Sequence, residues 1–321
     1  MLPMSRIRSA LLAVAAAVTL APAAAAQGVP RTLAVEPAAT IVAARDGVVL
    51  WSRFDATRKT YSLLKSVDGD PASRVRVAPR SKGPFDIDLG TNGSGATYAV
   101  YTRDDGDIYR LNVATGSELK VAKLSSPTLV ERDPTIMRGE IAFVRRARSQ
   151  DELRIGNTSG ASKGSRLLVR HRSIVSAELG LTHVAYVVAG PGSDEADGAK
   201  SVRIRHLRTG ADKQVYRAVS SGANDANVTR PAYVAAPQGF VWARTNVGVD
   251  TGNVFVRYTL RDSRLAYAPG APFLHSTAWA GSTLGAAMAF AFEKDTEACH
   301  DETVNICRVQ LSGPLQFKLG P

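Results

Sequence analysis

Apolar and polar positions alternate in short runs along the chain. The clearest run is Ala96–Lys120, ATYAVYTRDDGDIYRLNVATGSELK. Ala96–Arg103 alternates small or aromatic residues with polar ones, as a half-buried strand does. Asp104-Asp105-Gly106 then supplies residues that tolerate positive φ, which predicts a hairpin turn. Asp107–Val113 reads as the return strand, Ala114-Thr115-Gly116 as a second turn, and Glu118–Val121 as a short third strand. Phe85–Leu89 is a further alternating run upstream. Four short antiparallel strands make a sheet that cannot bury both faces alone, and such sheets are stable when stacked around an axis.

Looser copies recur. Second strands are predicted to begin near Gly47, Ala96, Glu140, His183, Gly239 and Gly285, a spacing of about 40–50 residues. In the first unit, Val29–Ala44 reads as a strand interrupted by Pro37, followed by Gly47–Phe54 and Thr60–Lys65. In the last unit, Leu315–Lys318 reads as the outer strand. The expected fold is all-β: a six-bladed β-propeller of four-stranded antiparallel blades. Seven blades is the alternative if the N-terminal strand completes a further blade. The even four-strand rhythm argues against a sandwich or a β-helix.

The Ala96–Lys120 unit resembles the repeat of TolB-like β-propellers, the WD40-like repeat of bacterial envelope proteins. The resemblance rests on Tyr98–Tyr101, Asp104–Gly106, Asp107-Ile108-Tyr109, Thr115-Gly116 and Leu119–Val121, and is partial in the other units. It implies a periplasmic or extracellular propeller, a class used mostly for binding. TolB carries an α/β domain before its propeller, and propeller-fused peptidases carry a hydrolase domain after theirs. Neither is visible here, so those activities are not expected to carry over.

The N-terminus adds a compartment. Arg6 and Arg8 precede an apolar Leu11–Leu20 run and an Ala24-Ala25-Ala26 end, which predicts a cleaved signal peptide over 1–26 and one propeller domain over 27–321. No cysteine follows the cleavage point, so a lipid anchor there is not expected. No later stretch reaches the roughly 18 consecutive apolar residues of a membrane helix. Export disfavours nucleic acid as a partner, despite a formal net charge of +11. The expected partner is a protein or an envelope polymer, and the expected state is a monomer. Arg145-Arg146-Ala147-Arg148 and Arg170-His171-Arg172 read as solvated strand ends. Cys299 and Cys307 are expected to form a disulfide in an oxidising compartment. A metal site of Cys299, His300 and Cys307 would lack a fourth ligand.

Candidate chemistry is sparse. There is no Gly-x-Ser-x-Gly elbow, His-Glu-x-x-His pair, Walker loop or EF-hand loop. Three long loops between second and third strands are acidic in a basic protein and are expected to share one face. They offer Asp194, Glu195 and Asp197; Asp250; and Asp295, Glu297, Asp301 and Glu302 as a binding rim. No resident cofactor is expected; Ca²⁺ on these oxygen ligands is the one exception considered. Asp104, Asp105 and Asp107 read as a turn. Innermost strands place Asp86, Asp88, Arg132, Asp133, Glu178, Arg230 and His275 along a central channel. There they either tie blades together or form a small-ligand or acid–base site. Trp51, Trp242 and Trp279 read as core. The reading that follows is a non-catalytic binding scaffold. A structural module of a surface assembly and a channel-mouth lyase or glycan hydrolase are its rivals.

Overall fold

The computed structural model describes residues 31–38, 40–158, 164–190, 200–218, 225–235, 238–247 and 254–269. It also describes the strand segments 278–281, 287–292, 304–310 and 318–319. β1 (Arg31–Glu36) comes first. Four sheets follow, each with its strands in chain order. The first holds β2 (Val42–Arg45), β3 (Val48–Asp55), β4 (Thr60–Val67) and β5 (Ser73–Arg74). The second holds β6 (Asp88–Thr91), β7 (Thr97–Thr102), β8 (Ile108–Asn112) and β9 (Glu118–Lys120). The third holds β10 (Glu131–Met137), β11 (Glu140–Ala147), β12 (Gln150–Asn157) and β13 (Arg166–His171). The fourth holds β14 (Ile174–Leu179), β15 (His183–Ala189), β16 (Lys200–His206) and β17 (Asp212–Ala218).

The fifth sheet departs from this plan. β18 (Asp225–Val228) and β19 (Ala232–Ala235) pair with opposite ends of β20 (Gln238–Val247), followed by β21 (Val254–Thr259) and β22 (Arg264–Pro269). Pro231 lies in the gap between the two inner segments. It has no N–H for the ladder, so the inner strand divides there. The sixth sheet holds β23 (Ala278–Gly281), β24 (Ala287–Phe292) and β25 (Val304–Gln310), with β1 as its outer strand. β26 (Lys318–Leu319) adds to the outer edge of β22, making the fifth sheet six-stranded.

Three expectations are corrected. Five sheets are four-stranded blades, where six or seven were predicted. Residues 29–44 do not form one interrupted strand of the first unit: the segment before Pro37 pairs with β25, and the segment after it pairs with β3. The outer strand of the last sheet comes from the N-terminal side of the chain, and Lys318–Leu319 joins the fifth sheet instead.

Inner strands stand side by side around the axis, β2 beside β6, then β10, β14, β19 and β23, which returns to β2. The first five sheets each put a buried aromatic on the strand that follows the inner one: Trp51, Tyr101, Phe143, Tyr186 and Trp242. Clusters form between blades as well as within them. Val100 and Ile108 of the second sheet pack with Ile136, Ile141 and Phe143 of the third. Two inner hairpins are two-residue turns with both residues at positive φ, Asp46-Gly47 and Arg138-Gly139, the conformation a tight antiparallel hairpin requires.

The closure is chemically specific. Glu36, at the end of β1, is fully buried. It accepts the Trp51 indole N–H at 2.7 Å and pairs with the Arg53 guanidinium at 2.8 Å, both on β3 of the first sheet. Replacing Glu36 by Ala orphans the indole donor, while half-exposed Arg53 re-solvates. The expected cost is about 1–3 kcal/mol. Urea unfolding followed by Trp fluorescence checks this, and Glu36→Gln, which keeps the acceptor, should cost less.

The approach of β6 to β10 also sets a steric limit. A Cβ on Gly90 would lie 2.0 Å from the Ile136 carbonyl oxygen, while one on Gly93 would meet nothing within 4 Å. Gly90→Ala is expected to destabilise by about 1–3 kcal/mol and Gly93→Ala by far less, measured as the difference between their thermal unfolding transitions.

Candidate functional site

The inner strands and the segments leading into them bring Asp86, Asp88, Asp133, Glu178 and Arg230 together. The side chains of Glu178, Arg230 and Asp133 keep only 13%, 14% and 19% of their exposure. They are deep in the ring without being sealed from it.

Asp86 is consumed by its surroundings. Its Oδ1 accepts the Thr102 N–H at 2.7 Å and the Arg80 guanidinium at 3.2 Å. Its Oδ2 takes the Thr102 hydroxyl at 2.6 Å and the Asp133 N–H of the next blade at 2.9 Å. That last bond depends on a local distortion. The β10–β11 register shifts between Arg132 and Thr135, and Asp133 stands at φ 48°. Aspartate tolerates this region better than most residues, and the shift is a β-bulge of the kind that re-aims a strand.

A second acceptor layer lies two residues further along. Asp88 Oδ2 accepts the Ile136 N–H at 2.8 Å and the Thr135 hydroxyl at 2.8 Å. Thr135 Oγ1 accepts the Leu179 N–H at 3.0 Å. Glu178 Oε1 accepts the Tyr233 N–H at 3.3 Å. Asp88, Thr135 and Glu178 hold the same place on β6, β10 and β14, and each meets the backbone of the following inner strand. Ser52 makes the same kind of contact from the second strand of the first sheet, accepting the Phe85 N–H at 2.9 Å.

Arg230 crosses this layer. It donates to the Ile87 carbonyl at 3.1 Å and the Pro134 carbonyl at 3.2 Å, joining the fifth sheet to the second and third. Burial opposes its charge, but Asp88, Glu178, Asp133 and Asp86 outweigh that and hold its pKa above the ordinary arginine value. Burial raises the Asp133 carboxyl against the pull of Arg132. Burial, with Asp88 alongside, pushes Glu178 up to about 8.

Arg132 lies beside this cluster. It pairs with neighbouring Asp133 at 2.7 Å but also reaches Asp151 at 2.8 Å and the Ile174 carbonyl. It therefore ties the third sheet to the fourth. Fully buried Asp151 also accepts the Ile174 N–H at 2.8 Å. Arg145 is no solvated strand end: it pairs with buried Glu131 at 2.8 Å and donates to the Leu124 carbonyl. Asp104 and Asp105 build the expected turn. Asp104 takes both N–H groups of Ser81 and Lys82, and Asp105 takes the Asp107 N–H. Trp51 and Trp242 are buried.

Sequence reasoning missed Thr135, Asp151 and Glu36. Aligning the inner strands of successive units would have found Thr135, which precedes an apolar residue as Asp88 and Glu178 do. It also missed that His183 and His206 are cross-strand partners, with ring centroids 4.6 Å apart. Burial and the neighbouring His206 lower the His183 pKa. The His206 Nδ1 accepts the N–H groups of Arg208 and Thr209, which puts its neutral-form proton on Nε2.

Asp194, Glu195, Asp197, Asp250, Asp295, Glu297, Asp301, Glu302, His275 and Cys299 lie outside the described residues. So do the side chains of Cys307 and Trp279. The strand ends that carry the long loops are described. Ala189 pairs with Lys200, Arg244 with Val254 and Phe292 with Asn305, at the same hairpin end of the fourth, fifth and sixth sheets. Among the described residues, no group of three or more His, Cys, Asp or Glu is arranged to hold a metal ion. No helix among them is long and apolar enough to cross a membrane.

No family model and no curated protein matches the chain. Solved structures do. A puromycin-hydrolyzing peptidase of Mycobacterium tuberculosis matches at 10% identity and TM-score 0.58, over 88% of this chain and 52% of that one. An oligogalacturonate lyase in complex with manganese matches at 10% identity and TM-score 0.50, over 88% and 83%. TolB of Acinetobacter baumannii matches at 11% identity and TM-score 0.56, over 83% of this chain and 65% of that one. The chain spans about half the length of the peptidase it matches. At these identities the likeness is one of fold, and the fold is a TolB-like β-propeller of antiparallel blades.

Proposed function

We propose that this protein is a secreted, non-catalytic binding scaffold that captures a protein or a cell-envelope polymer on the rim of the fourth to sixth sheets. One observation carries the reading. Among the described residues, the axial carboxylates Asp86, Asp88, Asp133 and Glu178 are each engaged by backbone N–H groups, hydroxyls or arginine of neighbouring strands. Acid–base work needs a group free to meet substrate, and glycoside hydrolysis needs two. These side chains hold the ring instead, and Arg230 crosses it.

The leader-like residues 1–26 support export to the periplasm or beyond, where Cys299 and Cys307 would be oxidised to a disulfide. The binding face we favour is the rim of Asp194, Glu195, Asp197, Asp250, Asp295, Glu297, Asp301 and Glu302. The alignment of its supporting strand ends favours a shared face. Acidic loops on a basic body suit a partner with basic groups, and rim charges act mainly on association rate and salt dependence. The scaffold is proposed to work as a monomer without a resident cofactor.

The test uses the mature chain as bait against the native envelope and culture fluid. Its control carries serine in place of the acids of 190–200 and 293–302. A partner captured by the wild type should bind the variant about tenfold more weakly, with a flatter salt dependence. Equal binding by the variant would move the site off this rim. Release of a chemically altered partner would replace the scaffold reading with an enzyme.

A further inference from the structure

Thr135 Oγ1 makes three polar contacts with one proton of its own. It accepts the Leu179 N–H at 3.0 Å, lies 2.8 Å from Asp88 Oδ2 and lies 3.2 Å from Glu178 Oε2. A hydroxyl donates once and accepts through two lone pairs. Its proton therefore satisfies one of the two carboxyl groups. The other must bring a proton, or two oxygens face each other with none between them.

The surroundings decide which group brings it. Asp88 Oδ2 sits closer to the hydroxyl and also accepts the Ile136 N–H at 2.8 Å, as a carboxylate should. Glu178 is less well supplied. Its Oε1 has one long bond from the Tyr233 N–H, and Arg230 stands 3.8 Å from Oε2 while donating to two carbonyls.

We propose that Glu178 carries a proton at neutral pH and donates it to Thr135, which donates in turn to Asp88. This relay clasps the second, third and fourth sheets at the axis, and loss of the proton at alkaline pH opens the clasp. With Glu178 ionised, Thr135 stands between two carboxylates with one proton to share. Arg230, already within ion-pair reach, is then drawn towards Glu178 and away from the Ile87 and Pro134 carbonyls.

The charged groups around the clasp are Asp86 and Asp88 from the β6 segment, Arg132 and Asp133 from β10, and Arg230 from the segment before β19. The Tyr233 phenol on β19 has its own pKa raised by burial and senses Arg138 and Arg45. Burial and Asp88 favour neutral Glu178, Arg230 opposes it, and the balance lies at about 8. The folded-state pKa is thus raised above the unfolded one. The stabilisation is complete below the unfolded glutamate pKa and is lost as pH rises through about 8.

Infrared titration of the full chain tests the proposal through the carbonyl band of a protonated carboxyl. The wild type should show that band at neutral pH and lose it with a midpoint near 8, and Glu178→Gln should lack it. The glutamine amide still donates to Thr135, so the melting temperature of Glu178→Gln should stay level where that of the wild type falls with rising pH. Thr135→Ser should keep the wild-type midpoint, and Thr135→Val should lower it by freeing Glu178 for Arg230. A wild type without the band, a band that persists in Glu178→Gln, identical pH profiles for the two proteins, or a Thr135→Val midpoint unchanged from wild type would each overturn the proposal.

Discussion

Inner-strand N–H groups that face the next blade have no ladder partner there, and a buried N–H without an acceptor costs about 1–3 kcal/mol. The ring answers this with side-chain oxygens. Asp88 meets Ile136, Thr135 meets Leu179, Glu178 meets Tyr233 and Ser52 meets Phe85. Each bond joins two sheets and fixes their spacing. The apolar clusters between blades supply the larger energy, but burial is non-directional. Directional acceptors set where one blade stands against the next, and Arg230 and Arg132 then fit among carboxylates already in place.

This role makes the axial charges a frame that joins the blades. A carboxylate that receives two or more donors from neighbouring strands has little capacity left for a substrate. The cluster is nevertheless unevenly supplied. Asp86 is saturated, whereas Glu178 rests on one long backbone bond and a shared hydroxyl.

Closure follows the same logic at the other end of the blades. β1, just before the first sheet in the chain, pairs with β25 and brings Glu36 to Trp51 and Arg53. The two ends of the ring are thereby joined by a ladder and by a buried carboxylate. β26 covers the edge of β22, an otherwise open row of backbone groups.

The strand rhythm, the Asp-Gly turns and the buried Trp51 and Trp242 were legible in the chain alone. Those features are local: alternation, turn chemistry and position within a repeat are written in neighbouring residues. Tertiary structure decided the rest. Nothing local says that the segment before Pro37 pairs with residues near 305, or that Lys318–Leu319 joins the fifth sheet, because strand pairing between distant segments is settled by which edges remain free. An alignment of the inner strands marks the position of Thr135, but only the stacked sheets bring the carboxylates of two other blades beside its hydroxyl. Arg132 and Arg145 read as channel or surface charges for the same reason. Their partners Asp151, Glu131 and the Leu124 carbonyl are brought to them only when the sheets stack.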